Sequence, residues 1–431
     1  MKINTTSPEP AAVVLWDESF LWGLIALRTL RQKGLAFRLI RAEDIRAGVL
    51  ERQKLLFVPG GWASNKLKAL GDGGVEAIRQ FVRDGGNYLG ICGGAGLATQ
   101  DSLGLLDIQR VPSEHRVPSF SGRVLCSVDD HPLWSGAYKP VFWAWWPSQF
   151  RVKGDGVRIC AHYDKALPDA YSSDIRVGSV RTEDEWAERE AAYGINLHPA
   201  RLAGEPAVVE GFFGKGRVLL SLLHFDTPDD ARGNRVLRQA WLNLGGTLLS
   251  DTPAESSQQQ LSDTAKTLLH EAQALIAVGE SLQLWRWRTP WVLQWKRGVR
   301  GLEYCTLANM AAAVAEQLSL QFGDDIPKQA AEELLLAAQM LASFRIRAEK
   351  LLRLEHAAME RGPLAYDKCG DPVMQELRTS LFGSAKSYGG QFKALLDEID
   401  SLLFQLISPA SSQTLACRHS RAKSLFILDF H

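Results

Sequence analysis

A cysteine between small residues, a histidine two residues before an acid, and a glycine pair after an apolar run are the parts of this sequence that can do chemistry. The first is Gly90-Ile91-Cys92-Gly93-Gly94. A nucleophile on a tight strand-to-helix turn needs small neighbours, because strand and helix approach closely there. The second is His224-Phe225-Asp226. A thiol nucleophile needs a base, and the base needs a carboxylate to orient it. The third is Pro59-Gly60-Gly61, where glycine can bring an N–H close to a developing oxyanion. The assignment that follows is Cys92 as nucleophile, His224 as base and Asp226 as orienting acid, with the N–H groups of Gly61 and Gly93 as oxyanion donors. The chemistry would be hydrolysis or acyl transfer at a C–N bond. Each residue also has a plainer reading: Cys92 as a buried core thiol, His224 as a hydrogen-bonded structural histidine.

The elements that must position these residues are legible from apolar patterning. Ala11 to Trp16 is an apolar run bounded by Pro10 and by Asp17-Glu18, and reads as a buried strand. Phe20 to Gln32 has helical spacing and ends at Gly34. Strands follow at Ala36 to Ile40, Leu55 to Val58 and Tyr88 to Ile91, with an amphipathic helix from Val75 to Val82. This alternation predicts an α/β domain with a doubly wound, mostly parallel sheet of the flavodoxin-like kind. From Gly104 to Tyr163 short β-like runs take over, Gly122 to Val128 and Val157 to Tyr163 among them. Asp164 to Pro199 reads as polar and irregular, its acidic run Glu183 to Glu190 a solvated loop or short helix. Ala207 to Phe213 and Arg217 to Leu223 read as a hairpin across Gly214-Lys215-Gly216, and a helix from Ala231 to Leu244 closes the domain near residue 250. Residues 251–263 are rich in Ser, Gln, Asp and Thr and read as a linker. Residues 264–408 show helical periodicity and few β-branched residues, which predicts an all-α bundle. Residues 409–431 form a tail.

Composition narrows the function classes. Lys and Arg total 49 and so do Asp and Glu. Zero formal charge argues against wholesale binding to nucleic acid or an anionic membrane surface. A local basic stretch, Arg286 to Arg300, is interleaved with Trp285, Trp287, Trp291 and Trp295; it reads as a solvated helix face packed on tryptophan, or as a surface for an anionic partner. The six cysteines have no CxxC spacing, so neither a disulfide framework nor a zinc site is expected; Cys126 and Cys160 read as core. No metal or cofactor is expected. No apolar stretch has membrane-spanning length and no leader is evident, so a reducing, cytoplasmic setting is the expectation.

The elbow, the Val58-Pro59-Gly60-Gly61 loop, the Gly85-Gly86 turn and the His-x-acid pair together resemble class I glutamine amidotransferase-like domains. Within that superfamily, residues 85–98 (Gly-Gly-Asn-Tyr-Leu-Gly-Ile-Cys-Gly-Gly-Ala-Gly-Leu-Ala) and 214–221 are most similar to the amidotransferase-like domain at the N-terminus of eukaryotic-type biotin–protein ligases. The resemblance covers residues 10 to 250. It implies a Cys-His-acid triad and a small-molecule or peptide substrate. No Gly-Arg-Gly-Arg adenylate motif is present, which argues against biotin ligation. Two positions depart from the pattern. Glutaminases of the family carry Gln four residues after the nucleophile, where this chain has Gly96, and the acid is usually Glu, where this chain has Asp226. Glutamine itself is therefore a poor candidate substrate. In a related group of proteases and chaperones an acid from the region of Glu18 touches the cysteine, which implies that Glu18 tunes Cys92; the alternative is a helix N-terminal charge. Trp143, Trp145 and Trp146 read either as cover over the sheet or, with Gly60 and Glu18, as a pocket wall. A non-catalytic alternative remains: a ligand-binding or scaffold protein whose helical half binds a protein partner or a second copy of itself.

Overall fold

The computed structural model describes residues 10–135, 140–249, 260–322, 326–362, 364–365, 370–384 and 387–408. The chain divides into two compact units, Met1–Pro253 and Ala254–His431. Most of the expected linker and all of the expected tail lie outside the described residues.

The N-terminal unit is built on one mixed sheet of 11 strands. Its parallel half runs Arg38–Ile40, Ala12–Leu15, Leu55–Val58, Asn87–Ile91, Gly216–Ser221 across the sheet. In chain order that is 2-1-3-4-5, the flavodoxin-like doubly wound order, in which ligands bind beyond the carboxyl ends of the strands. These strands are short apolar runs because both faces are covered; every residue of Ala12–Leu15 and Leu55–Val58 is buried. The other half is antiparallel. Pro206–Phe213 pairs with Gly216–Ser221 as the expected hairpin, then Val157–Ala166 and Phe120–Val128 follow outward. Val141–Trp145 pairs with Phe120–Val128 off the main path. The expected doubly wound α/β sheet is thus present, extended sideways by antiparallel strands from the residues between its fourth and fifth parallel strands.

Two further differences in this unit have physical causes. The helix expected from Val75 starts at Ala63 and runs to Arg83, broken only at Gly71, whose φ of 59° and ψ of 178° are not helical. The cluster Gly71, Gly73 and Gly74 masks the periodicity of its first half. Glu183–Tyr193 is a full helix: Thr182 accepts a hydrogen bond from the Glu185 N–H, while the Glu185 carboxylate takes the Arg181 N–H. It packs Trp186 against Ile175 and Leu197.

The C-terminal unit is a bundle of Asp263–Ser281, Gly301–Gln321, Lys328–Met359, Pro372–Phe382 and Gly390–Ile407. Phe344, Phe382 and Phe392 meet in its core with ring centroids 5.8–6.2 Å apart. The basic, Trp-rich stretch is not a helix face. Trp285–Trp287 and Leu293–Trp295 form an antiparallel hairpin turning at Pro290. Proline has no N–H to continue a helix, and the alternation Trp285-Arg286-Trp287-Arg288 is a two-residue period. No helix among the described residues is long and apolar enough to cross a membrane.

Candidate active site

Every expected site residue belongs to the N-terminal unit, and the loops that carry most of them leave the carboxyl ends of its parallel strands. Cys92 follows Asn87–Ile91 and precedes the short helix Gly93–Leu97. Its φ is 52° and its ψ −105°, a strained conformation for a residue with a Cβ. The turn is held from both sides. The Cys92 N–H donates to Ser221 O at 2.8 Å, and the Gly96 N–H donates to Cys92 O at 2.9 Å. A Cβ on Gly94 would lie 1.9 Å from Val58 O, and one on Gly90 would lie 2.6 Å from Gly94 O. Only glycine fits at these two positions. The Cys92 side chain is partly exposed, with Sγ 3.9 Å from Trp145 O.

His224 follows Gly216–Ser221 and is fully buried, as is Asp226. His224 Nδ1 and Asp226 Oδ1 are 2.9 Å apart. The His224 N–H donates to Trp143 O at 2.8 Å, and Thr29 Oγ1 donates to Asp226 O at 2.7 Å, which fixes the segment from two elements. Burial alone would drive His224 towards neutrality. The negative charges of Asp226 and of the Cys92 thiolate, with the hydrogen bond to Asp226, outweigh burial and raise His224 to about 10. His224 Nε2 and Asp226 Oδ2 are buried and without hydrogen-bond partners. With the ring protonated, Nε2 is a buried donor that the fold leaves without an acceptor.

Gly61 and Gly93 also converge. Gly61 has a φ of 117°, and a Cβ there would lie 2.2 Å from Glu18 O. A Cβ on Gly93 would lie 1.9 Å from Gly61 O. Neither N–H enters a backbone hydrogen bond among the described residues. Gly60 lies under His224, with Cε1 3.3 Å from where its Cβ would be. Glu18 touches this loop through its main-chain carbonyl, whereas its carboxylate accepts from Asn65 Nδ2 at 3.2 Å. Lys66, which is fully buried, donates to Asp17 O at 2.8 Å and to Ser19 Oγ at 2.5 Å, tying the same turn to the helix behind the loop.

The three tryptophans lie on and just beyond Val141–Trp145. Trp143 and Trp145 stack at 4.6 Å, and Trp145 Nε1 donates to Thr227 Oγ1 at 3.3 Å. Trp146, at a φ of 47°, meets Trp22 edge-on at 6.3 Å, and Trp22 lies 4.7 Å from the His224 ring. Trp22 does not stand out in the sequence, where it reads as one more apolar position of Phe20–Gln32.

One group of metal-capable side chains stands apart from the elbow. His131, Cys160 and Glu210 offer ligand atoms within 4.8 Å of one another. Both His131 nitrogens already have partners, Glu210 at 3.1 Å and the Leu133 N–H at 3.2 Å, and Arg217 holds Glu210 at 2.6 Å. The cluster is complete as a hydrogen-bonded core.

Residues 19–102, which include the elbow and the glycine loop, match the family model described as "Biotin-protein ligase, N terminal". Among solved structures, the chain is similar to a glutamine amidotransferase (21% identity, covering 54% of this chain and 98% of that one, TM-score 0.36). It is also similar to PurLQS of Thermotoga maritima (17%, 54% and 98%, 0.36) and to a GMP synthase protein of Thermoplasma acidophilum (14%, 54% and 92%, 0.36). No curated protein matches. The strand order 2-1-3-4-5 and the strand-to-helix elbow at Cys92 make the N-terminal unit a doubly wound α/β domain.

Proposed function

We propose that the N-terminal unit is a cysteine-dependent amidase or acyl transferase acting on a C–N bond of a small molecule or peptide. The observation that supports this best is a strained, partly exposed Cys92 at the end of one parallel strand, with its neighbouring strand leading to a buried His224 backed by Asp226 at 2.9 Å. In the first step Cys92 Sγ bonds to the carbonyl carbon, and the carbonyl π electrons move onto oxygen. The N–H groups of Gly61 and Gly93 receive that oxyanion. His224, protonated at Nε2, gives its proton to the departing nitrogen as the C–N bond breaks, leaving a thioester. Water then loses a proton to His224 and attacks the thioester, or an acceptor amine does the same; the acid or new amide leaves and Cys92 returns. Asp226 stabilises the imidazolium throughout.

Gly96 stands where a glutamine-binding side chain is usual, which favours a substrate other than glutamine. A non-catalytic role for the same pocket makes the opposite forecast for reactivity. The test is the rate of Cys92 alkylation by iodoacetamide between pH 5 and 8, followed by mass spectrometry. Alkylation faster than that of free cysteine at pH 5–6, abolished in rate and site by Cys92→Ser, supports the nucleophile. A rate that merely tracks an ordinary thiol favours a binding or scaffold role.

A further inference from the structure

Two arginines outside the triad converge on its mouth. Arg110 ends the short strand Ile108–Arg110. Its Cδ and Nη1 lie 3.5 and 3.7 Å from where a Cβ on Gly96 would sit, so its side chain covers the position where glutaminases carry Gln. Gly96 in turn is bonded to Cys92 through its N–H, one helical turn from the nucleophile. Arg116 approaches from the tryptophan side, where its Nη1 donates to Pro147 O at 3.2 Å. Pro147 is two residues beyond Trp145, whose carbonyl faces Cys92 Sγ. Burial first, and then the charge of Arg110, hold Arg116 below its ordinary value, with the Cys92 thiolate acting the other way. Neither arginine forms an ion pair with a carboxylate among the described residues.

Two arginines beside the elbow that no carboxylate of the described residues pairs with offer their charge and donors to an incoming anion. We infer that Arg110 and Arg116 form an oxyanion-recognising subsite, so that the molecule attacked by Cys92 carries a carboxylate or phosphate near its scissile C–N bond. This rests on the reading of Cys92 as nucleophile. The planar five-donor fork of arginine suits such groups, and the absent Gln side chain leaves the room.

The test compares iodoacetate with iodoacetamide at Cys92, each rate normalised to free cysteine. The iodoacetamide rate reports the thiolate and the fold of each variant, and the ratio isolates the anion preference. Wild type is expected to favour iodoacetate by roughly ten-fold, and Arg110→Gln with Arg116→Gln to return the ratio to near one. A ratio that the substitutions leave unchanged overturns the subsite, even where iodoacetamide shows an activated thiol. An ordinary iodoacetamide rate with a retained, arginine-dependent ratio overturns the nucleophile reading and leaves the anion site standing. Acetate and inorganic phosphate, compared as competitors at constant ionic strength, separate the two anions. Whichever suppresses the iodoacetate reaction at lower concentration names the group, and suppression by neither overturns the subsite.

Discussion

Gly93→Ala should disable the site and destabilise the N-terminal unit, while Gly96→Ala three residues later should do neither. The new Cβ at residue 93 would lie 1.9 Å from Gly61 O, 2.7 Å from its carbonyl carbon and 2.9 Å from its nitrogen. All three are backbone atoms, so no side chain can swing aside. An ordinary contact requires the loop to retreat by at least about 1 Å, and interiors packed at crystal density resist that. The retreat is blocked on the far side as well, where Gly61 already lies against Glu18 O. Overpacking of this kind costs about 1–3 kcal/mol, and a displacement of about 1 Å at a reacting centre can cost about a hundred-fold in rate. At residue 96 the nearest atoms to a new Cβ are 3.5 Å away, which is ordinary contact. There alanine gains helix propensity worth up to ~1 kcal/mol. Thermal unfolding of the full chain and the iodoacetamide rate of Cys92 are the two readouts, with a midpoint shift of about 2–4 °C for each kcal/mol expected in a unit of this size. If Gly93→Ala matches Gly96→Ala in both, the close approach of elbow and loop does not control the site.

Other expectations follow from the electrostatics. Asp226→Asn removes one of the charges that keep His224 protonated, so the imidazole should titrate at least about one pH unit lower by NMR; an unmoved titration would show that Asp226 is not its partner. His224 at about 10 lies above the ordinary 6.5 of an unfolded histidine, so the stability it contributes is complete below about pH 6.5 and is lost as pH rises towards 10. The unfolding midpoint should fall across that window in wild type and fall less in His224→Gln. In the helical unit, Arg378 donates to Glu355 at 2.8 Å and to the carbonyls of Ala365 and Gly298, all but out of contact with solvent. Arg378→Leu strands a buried Glu355, already raised to about 7 by burial, and should cost about 3–5 kcal/mol. Adding Glu355→Leu should restore much of it; denaturant midpoints of the two variants decide.

The parallel half of the sheet is legible because its strands are apolar runs stopped by special residues. Leu55–Val58 ends at Pro59-Gly60-Gly61, and Phe20–Gln32 runs up to Gly34. The elbow is legible because its close contacts admit only glycine, and that demand is written into the residue types. What stays hidden depends on contacts distant in sequence. Nothing about Arg116 announces its place beside Cys92, since the carbonyl that receives it belongs to Pro147. Trp22 looks like any buried helix residue until the fold sets it against His224. The hairpin at Trp285–Trp295 is marked by its Pro290 and its two-residue period, signals masked by a basic, aromatic composition that also suits a helix. The helix Glu183–Tyr193 is marked by Thr182 and Glu185, a cap signature diluted in an acidic run.

The strand that delivers His224 enters the sheet beside Asn87–Ile91 only after the whole antiparallel extension has been made. On a ribosome, the cysteine is synthesised roughly ten seconds before its histidine, since about 130 residues separate them at 5–20 residues per second. Through that interval Cys92 has neither the Ser221 carbonyl that holds its turn nor the imidazole beside it. If Cys92 is the nucleophile proposed above, its base and the carbonyl that fixes its turn reach it only once the sheet is complete. The chain order of the strands thus makes this site a late product of synthesis, assembled only when the last parallel strand joins the fourth.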